Sequence, residues 1–137
     1  MKYLLDTDII IGHLRRGEKI NVDWAVEGVA TSVISWMELF FGIFNGRQSE
    51  KNQKSLESFC DDINLEVIEM SKEVAEKAAE IKVNLRHKGQ ELVDFDLLIA
   101  ATAITNNLVL VTGNKHHFAR IPELKIYGSS SAIPIGQ

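Results

Sequence analysis

The chain reads as an α/β fold, a central and mainly parallel sheet flanked by helices on both faces. Short apolar runs alternate along it with longer helix-like stretches, the pattern of strand–helix–strand units. Three acids sit where an apolar run gives way to a helix. Asp6 ends Lys2-Tyr3-Leu4-Leu5, Glu38 follows Val29-Ala30-Thr31-Ser32-Val33-Ile34, and Asp96 opens Leu97-Leu98-Ile99-Ala100-Ala101. A fourth run, Leu108-Val109-Leu110-Val111, breaks at Thr112-Gly113-Asn114. In a parallel sheet these breaks share one edge, the carboxyl end of the strands, where open α/β folds bind ligands.

In chain order, residues 2–6 predict a short buried strand and 8–16 a helix, with Asp8 as N-cap and Gly17 as its stop. The stretch 18–28 carries no clear period, and Trp24 within it is expected in the core. Residues 29–34 predict the second strand and 35–45 a helix, followed by the turn Asn45-Gly46-Arg47-Gln48-Ser49. A polar helix over 50–61 leads to a strand at 65–69. Ser71 can cap a helix that presents Val74, Ala78, Ile81 and Leu85 on one face and ends at Gly89. Residues 95–105 predict an apolar helix capped by Asp94, 108–112 a strand, and 125–127 a short last strand. The small, polar stretch 128–137 is expected to fray.

Composition excludes several classes. A chain of 137 residues, 45% hydrophobic and 25% charged, is expected to be one globular domain over 1–137. No apolar run approaches the ~20 residues needed to span a membrane, and no basic segment with an apolar signal core opens the chain. The single cysteine, Cys60, reads as a small buried hydrophobe, so a reducing cytoplasm is the expected location. A net charge of −4 argues against a large basic face for nucleic acid, but not against a nuclease whose metal neutralises an acidic centre.

Each acid has a bland explanation. Ser35 and Glu38 fit a capping box, Asp94 and Asp8 fit N-caps, and Asp96 lies where a helix dipole favours negative charge. A dipole contact contributes only about 0.3–1 kcal/mol, whereas crowding and desolvating carboxylates costs several kcal/mol per ion. Three strand ends converging on acids therefore favour a divalent cation between them over capping alone.

At these residues the sequence resembles the PIN-domain family, and within it the VapC-type ribonuclease toxins of toxin–antitoxin pairs. Tyr3-Leu4-Leu5-Asp6-Thr7-Asp8 is similar to the family's opening strand, and Ser35-Trp36-Met37-Glu38-Leu39-Phe40-Phe41-Gly42 to its second motif. Asp96-Leu97-Leu98-Ile99-Ala100-Ala101-Thr102-Ala103 resembles the third, and Leu110-Val111-Thr112-Gly113-Asn114-Lys115-His116-His117-Phe118 the fourth. The resemblance implies a Rossmann-like, PIN-like three-layer fold and a Mg²⁺-dependent endoribonuclease, with Mn²⁺ as a substitute, that hydrolyses phosphodiesters with a metal-activated water. Carried over by position, Asp6 and Asp96 would be the principal metal ligands and Glu38 would complete the acidic cluster. Thr7 and Thr112 would orient ligands or waters from behind. Asn114 would join the catalytic set through its carbonyl oxygen, because this chain has neither Asp nor Glu between Val111 and Arg120, where some relatives have an acid.

The resemblance also implies partners: an RNA substrate, a cognate antitoxin, and a homodimer or toxin–antitoxin hetero-oligomer. The 35–45 helix is apolar almost all round, from Trp36 to Phe44, so part of it is expected to face such a partner. Arg15, Arg16, Arg47, Lys51, Lys54 and Lys115 are ordinary solvated charges or holders of RNA phosphates. Two rival readings differ in class. Asp6-Thr7-Asp8 also resembles the nucleophile motif of haloacid-dehalogenase-type phosphatases, and a PIN fold with a weakened fourth motif could be an inert binding module.

Overall fold

The computed structural model describes residues 1–128, and the expected fraying after Gly128 lies outside them. The apolar runs form β1 (Tyr3–Leu5), β2 (Val29–Ser32), β3 (Glu66–Ile68) and β4 (Val109–Val111), all parallel, in the order β3-β2-β1-β4. β1 is central: Leu4 lies opposite Ala30 on one side and Leu110 on the other. Parallel strands need helical crossovers, and these cover both faces of the sheet.

Alternation along each strand divides the core into two layers. Leu4, Ala30 and Leu110 point toward α5 (Lys72–His87) and α6 (Asp94–Thr105), meeting Val74, Ile81, Ile99 and Ala100. Tyr3, Leu5, Val29, Val109 and Val111 point the other way, meeting Ile10 of α1 (Thr7–Arg16), Leu39 of α3 (Val33–Asn45), and Leu56 and Phe59 of α4 (Ser49–Ile63). This is the three-layer α/β architecture expected. Fully burying one such Leu or Val contributes about 1.5–3 kcal/mol, so the doubly covered β1 is the most heavily stabilised strand.

The strand order explains where a site can form. From β1 the chain moves outward to β2 and then β3, and afterwards returns to place β4 on the opposite side of β1. The connections leave β1 and β4 in opposite directions, which opens a crevice beyond their carboxyl ends.

Several local expectations are corrected. Asp8 does not cap α1. Asp6 does, its Oδ1 accepting from the Thr7 N–H at 2.8 Å, and Gly17 ends the helix in the left-handed region at φ 66° as expected. Ser35 and Glu38 form no capping box, because α3 begins two residues earlier than 35. Its cap is Ser32, whose Oγ accepts from the Ser35 N–H at 3.0 Å. Asp94 is not a cap either: it lies in the first turn of α6, after Val93, and pairs with Lys82 at 2.9 Å. Ser71 does cap α5, accepting from the Val74 N–H at 3.1 Å. The periodless stretch holds a six-residue helix, α2 (Val22–Glu27), in which Trp24 is buried edge-on to Tyr127 at 5.5 Å. Its exposed Val22 and Val26 obscure the pattern. The expected last strand shrinks to one parallel bridge between Ile126 and Leu110. Cys60 is half-buried, its thiol pKa pushed up by burial and then by Asp61 and Glu57.

Candidate active site

The crevice between β1 and β4 is lined by acids. Asp6 follows β1 directly, its N–H donating to the Val111 carbonyl at 2.9 Å, so backbone pairing with β4 continues past the strand end. The side chain is only 7% exposed. Besides capping α1, it accepts from Thr112 Oγ1 through Oδ2 at 2.8 Å. The Asp6 pKa is nevertheless pushed up to about 6. Burial is the main cause, reinforced by the charges of Asp8 and Asp96 and opposed by the hydrogen bonds from Thr112 and Thr7.

Glu38 reaches the same edge from α3. Its Oε1 accepts from Thr7 Oγ1 at 2.7 Å, a bond that ties the start of α1 to the second acidic motif. Asp96, the third residue of α6, is half-buried. Its pKa is raised by burial first and then by Glu38, with His117 acting in the opposite direction and Asp8 adding to the rise. Asp6, Asp8, Glu38 and Asp96 thus share one electrostatic neighbourhood.

Thr7 and Thr112 each donate a hydroxyl hydrogen bond to one acid, Thr7 to Glu38 and Thr112 to Asp6. Thr112 Oγ1 also accepts from the Asn114 N–H at 3.0 Å. Asn114 precedes the short helix α7 (Lys115–Phe118) and makes no side-chain cap there, so the fourth motif reaches the cluster through the Asn114 backbone.

Reading Asp8 as a cap missed its actual position. Its Oδ2 accepts from the Gly113 N–H at 2.9 Å, and its Oδ1 is buried without a hydrogen-bond partner. Nothing local in the sequence marks this, because the partner lies 105 residues away. Gly113 is required for the approach: a Cβ there would stand 2.6 Å from Asp8 Oδ2.

The donors present are all oxygens, the set that a hard divalent cation takes. Among the described residues, no three His, Cys, Asp or Glu groups are close enough as they stand to cage an ion. The carboxylates line an open edge, an arrangement that suits Mg²⁺, which keeps several of its waters. The buried, unpartnered Asp8 oxygen and the charge crowding at Asp6 both call for a positive ion. The cleft of about 910 Å³ lined by His13, Arg47, Lys51 and Lys54 contains none of these acids. A second, of about 860 Å³, borders the start of α6 and is flanked by Lys82, Arg86 and Arg120.

The family model for the PIN domain matches residues 3–124. The chain is 33% identical over 129 residues to the Ribonuclease VapC2 of Rickettsia felis, covering 90% of this chain and 95% of that protein. It is 31% identical over 133 residues to the tRNA(fMet)-specific endonuclease VapC of Salmonella typhimurium, covering 92% and 96%. In three dimensions it matches a chain in the crystal structure of DNA-bound VapBC from Salmonella typhimurium with a TM-score of 0.84 at 29% identity, covering 92% of this chain and 96% of that one.

Proposed function

The chain belongs to the PIN-domain family, among its VapC ribonucleases, and on that premise we propose that it is the toxin of a toxin–antitoxin pair, an endoribonuclease that hydrolyses RNA phosphodiesters with Mg²⁺ at the Asp6–Glu38–Asp96 edge. Ribonucleases of this family depend in general on a divalent metal. The observation that carries the reading is the crowding at the β1–β4 crevice, where a carboxyl only 7% exposed is held at about 6 by burial and by neighbouring acids. A match over 3–124 favours this over a phosphatase, and the ribonuclease names of the relatives favour it over an inert module.

Asp6 and Asp96 would hold the ion, with Glu38 completing the cluster directly or through water. Bound there, Mg²⁺ would supply an activated water and offset charge on the phosphoryl and leaving oxygens. The residues around it do the positioning. Thr112 and the Thr7 N–H fix the Asp6 carboxylate, one on each oxygen, leaving one lone pair on each for an ion. Thr7 holds Glu38 toward α1. Asn114 would offer its amide oxygen from the β4 loop, and Arg86, with Lys82 and Arg120 beside it, borders a cleft next to α6 that also carries Glu91 and Asp94.

The partner is a cognate antitoxin, as in the VapBC complexes to which the fold is similar. α3 buries Ser35, Leu39 and Ile43 against the core and exposes Met37, Phe41 and Phe44 on its outer side. These large apolar side chains suit an amphipathic partner helix, whose Arg or Lys would neutralise the adjacent acids. The same face would serve a homodimer. Among the described residues no helix is long and apolar enough to cross a membrane, and the proposed site of action is the cytoplasm.

The test is cleavage of total RNA and of initiator tRNA, the substrate named for the Salmonella relative, in Mg²⁺ and in EDTA. The parent should cut only with the ion. Asp6→Asn and Asp96→Asn should fold and not cut, a loss of about a thousandfold or more, since several kcal/mol of charge stabilisation disappears. Parent-like cleavage by both variants would remove the assignment.

A further inference from the structure

We propose that Asp8 is the fourth carboxylate of this site: Oδ2 pins the β4 loop through Gly113, and Oδ1 is left for the cation or for a water on it. The inference rests on the metal-dependent reading above and goes beyond it, because Asp8 lies outside the Asp6, Glu38 and Asp96 set.

Three observations carry it. The loop after β4 has no acid of its own from Thr112 to Ala119, yet the crevice there is closed on its β4 side by a carboxylate that arrives from α1. That carboxylate is in contact with the loop, accepting from the Gly113 N–H at 2.9 Å. Position 113 admits it only because there is no Cβ to stand 2.6 Å from Oδ2. The other oxygen is buried with no donor facing it. An ionised oxygen in that state costs several kcal/mol unless a cation or a donor satisfies it, so a carboxylate serving only as a loop brace would be an expensive choice where Asn would make the same bond. The charge of Asp8 is also felt by both Asp6 and Asp96, so it belongs to the same acidic edge.

Titration of the metal-free protein with Mn²⁺ by calorimetry tests this without reference to RNA cleavage. Asp8→Asn keeps an acceptor for Gly113 and removes the charge. It should weaken Mn²⁺ binding about tenfold or more, in the range found when groups supporting a metal are altered, with unchanged circular dichroism. Asp8→Ala should weaken it at least as much, and serves in place of the Asn variant if that one does not fold. Asp6→Asn is the control. If Asp6→Asn loses Mn²⁺ while the Asp8 variants bind like the parent, Asp8 is a brace and the inference falls while the nuclease reading stands. If the parent binds no Mn²⁺, the metal-dependent reading falls and this inference with it.

Discussion

The two sides of the acidic crevice are built differently. On the β1–β4 side every element is tied down: Asp6 accepts from Thr7 and Thr112, Asp8 accepts from Gly113, and the backbone bond from Asp6 to Val111 extends the sheet. On the side formed by α3 and α6, Glu38 and Asp96 are half-buried, Glu38 holds one bond to Thr7, and α3 turns Phe41 and Phe44 outward. The closed side sets geometry at the expense of burying charge. The open side keeps room for RNA, ion and partner. A site made only of the first kind would exclude its substrate, and one made only of the second would hold no fixed geometry.

The largest effect expected from this contrast is on stability. With metal removed, Asp6 takes up its proton near pH 6 in the folded state and near 3.8 when unfolded. Between those values the folded chain binds more protons, so stability rises as pH falls from 7, by about 2 kcal/mol from this group at pH 4 and about 3 kcal/mol once pH is below both values. Urea unfolding in EDTA should show that rise in the parent and lose it in Asp6→Asn, which should also be the more stable of the two at pH 7. Equal pH dependence in both would mean that the closed side does not bury a costly charge.

A somewhat smaller effect belongs to the open side. Phe41→Ser with Phe44→Ser should weaken antitoxin binding by about 2 kcal/mol, roughly thirtyfold, as for anchor residues at other interfaces. RNA cleavage should be unchanged, because both side chains are more than 65% exposed and support no acid. Affinity titration beside a cleavage assay separates the two readouts. A fall in both would mean that α3 is a single unit with the site.

The smallest effects compare the two threonines. Thr112→Val leaves Asp6 Oδ2 and the Asn114 N–H without their partner, a loss of about 1.5 kcal/mol in a buried place. Thr7→Val removes one bond to a half-buried Glu38 and should cost less than about 1 kcal/mol. Denaturant midpoints measure both, and the reverse order would overturn the assignment of closed and open sides.

Much of this was legible in the sequence, and the rest was hidden for identifiable reasons. The strands, their parallel arrangement and the convergence of Asp6, Glu38 and Asp96 followed from where apolar runs stop, because a buried run and the polar residue ending it are local signals. The fold agrees with the strands and their parallel arrangement. The caps did not follow. Asp6-Thr7-Asp8 offers two carboxylates near one helix start, and a shift of two residues decides which of them caps. Similarly, Ser32 and Ser35 both suit the start of α3, and only the backbone shows that the first is the cap. α2 escaped because six residues held by Trp24 make no period. Asp8 escaped because its partner is at the far end of the chain.

That separation has a consequence for when the protein becomes dangerous. The bonds that finish the site, Thr112 to Asp6 and Gly113 to Asp8, span 106 and 105 residues, and β1 meets β4 only after everything between them has been made. Chains are synthesised from the N-terminus and ordered progressively, and pairings this distant form late. Residues Val33–Asn45 of α3 are synthesised long before β4, so the sequence of α3 is available before the crevice can close. A partner that binds the proposed Phe41–Phe44 surface would then have an interval in which to act before the crevice closes, an interval set by strand order.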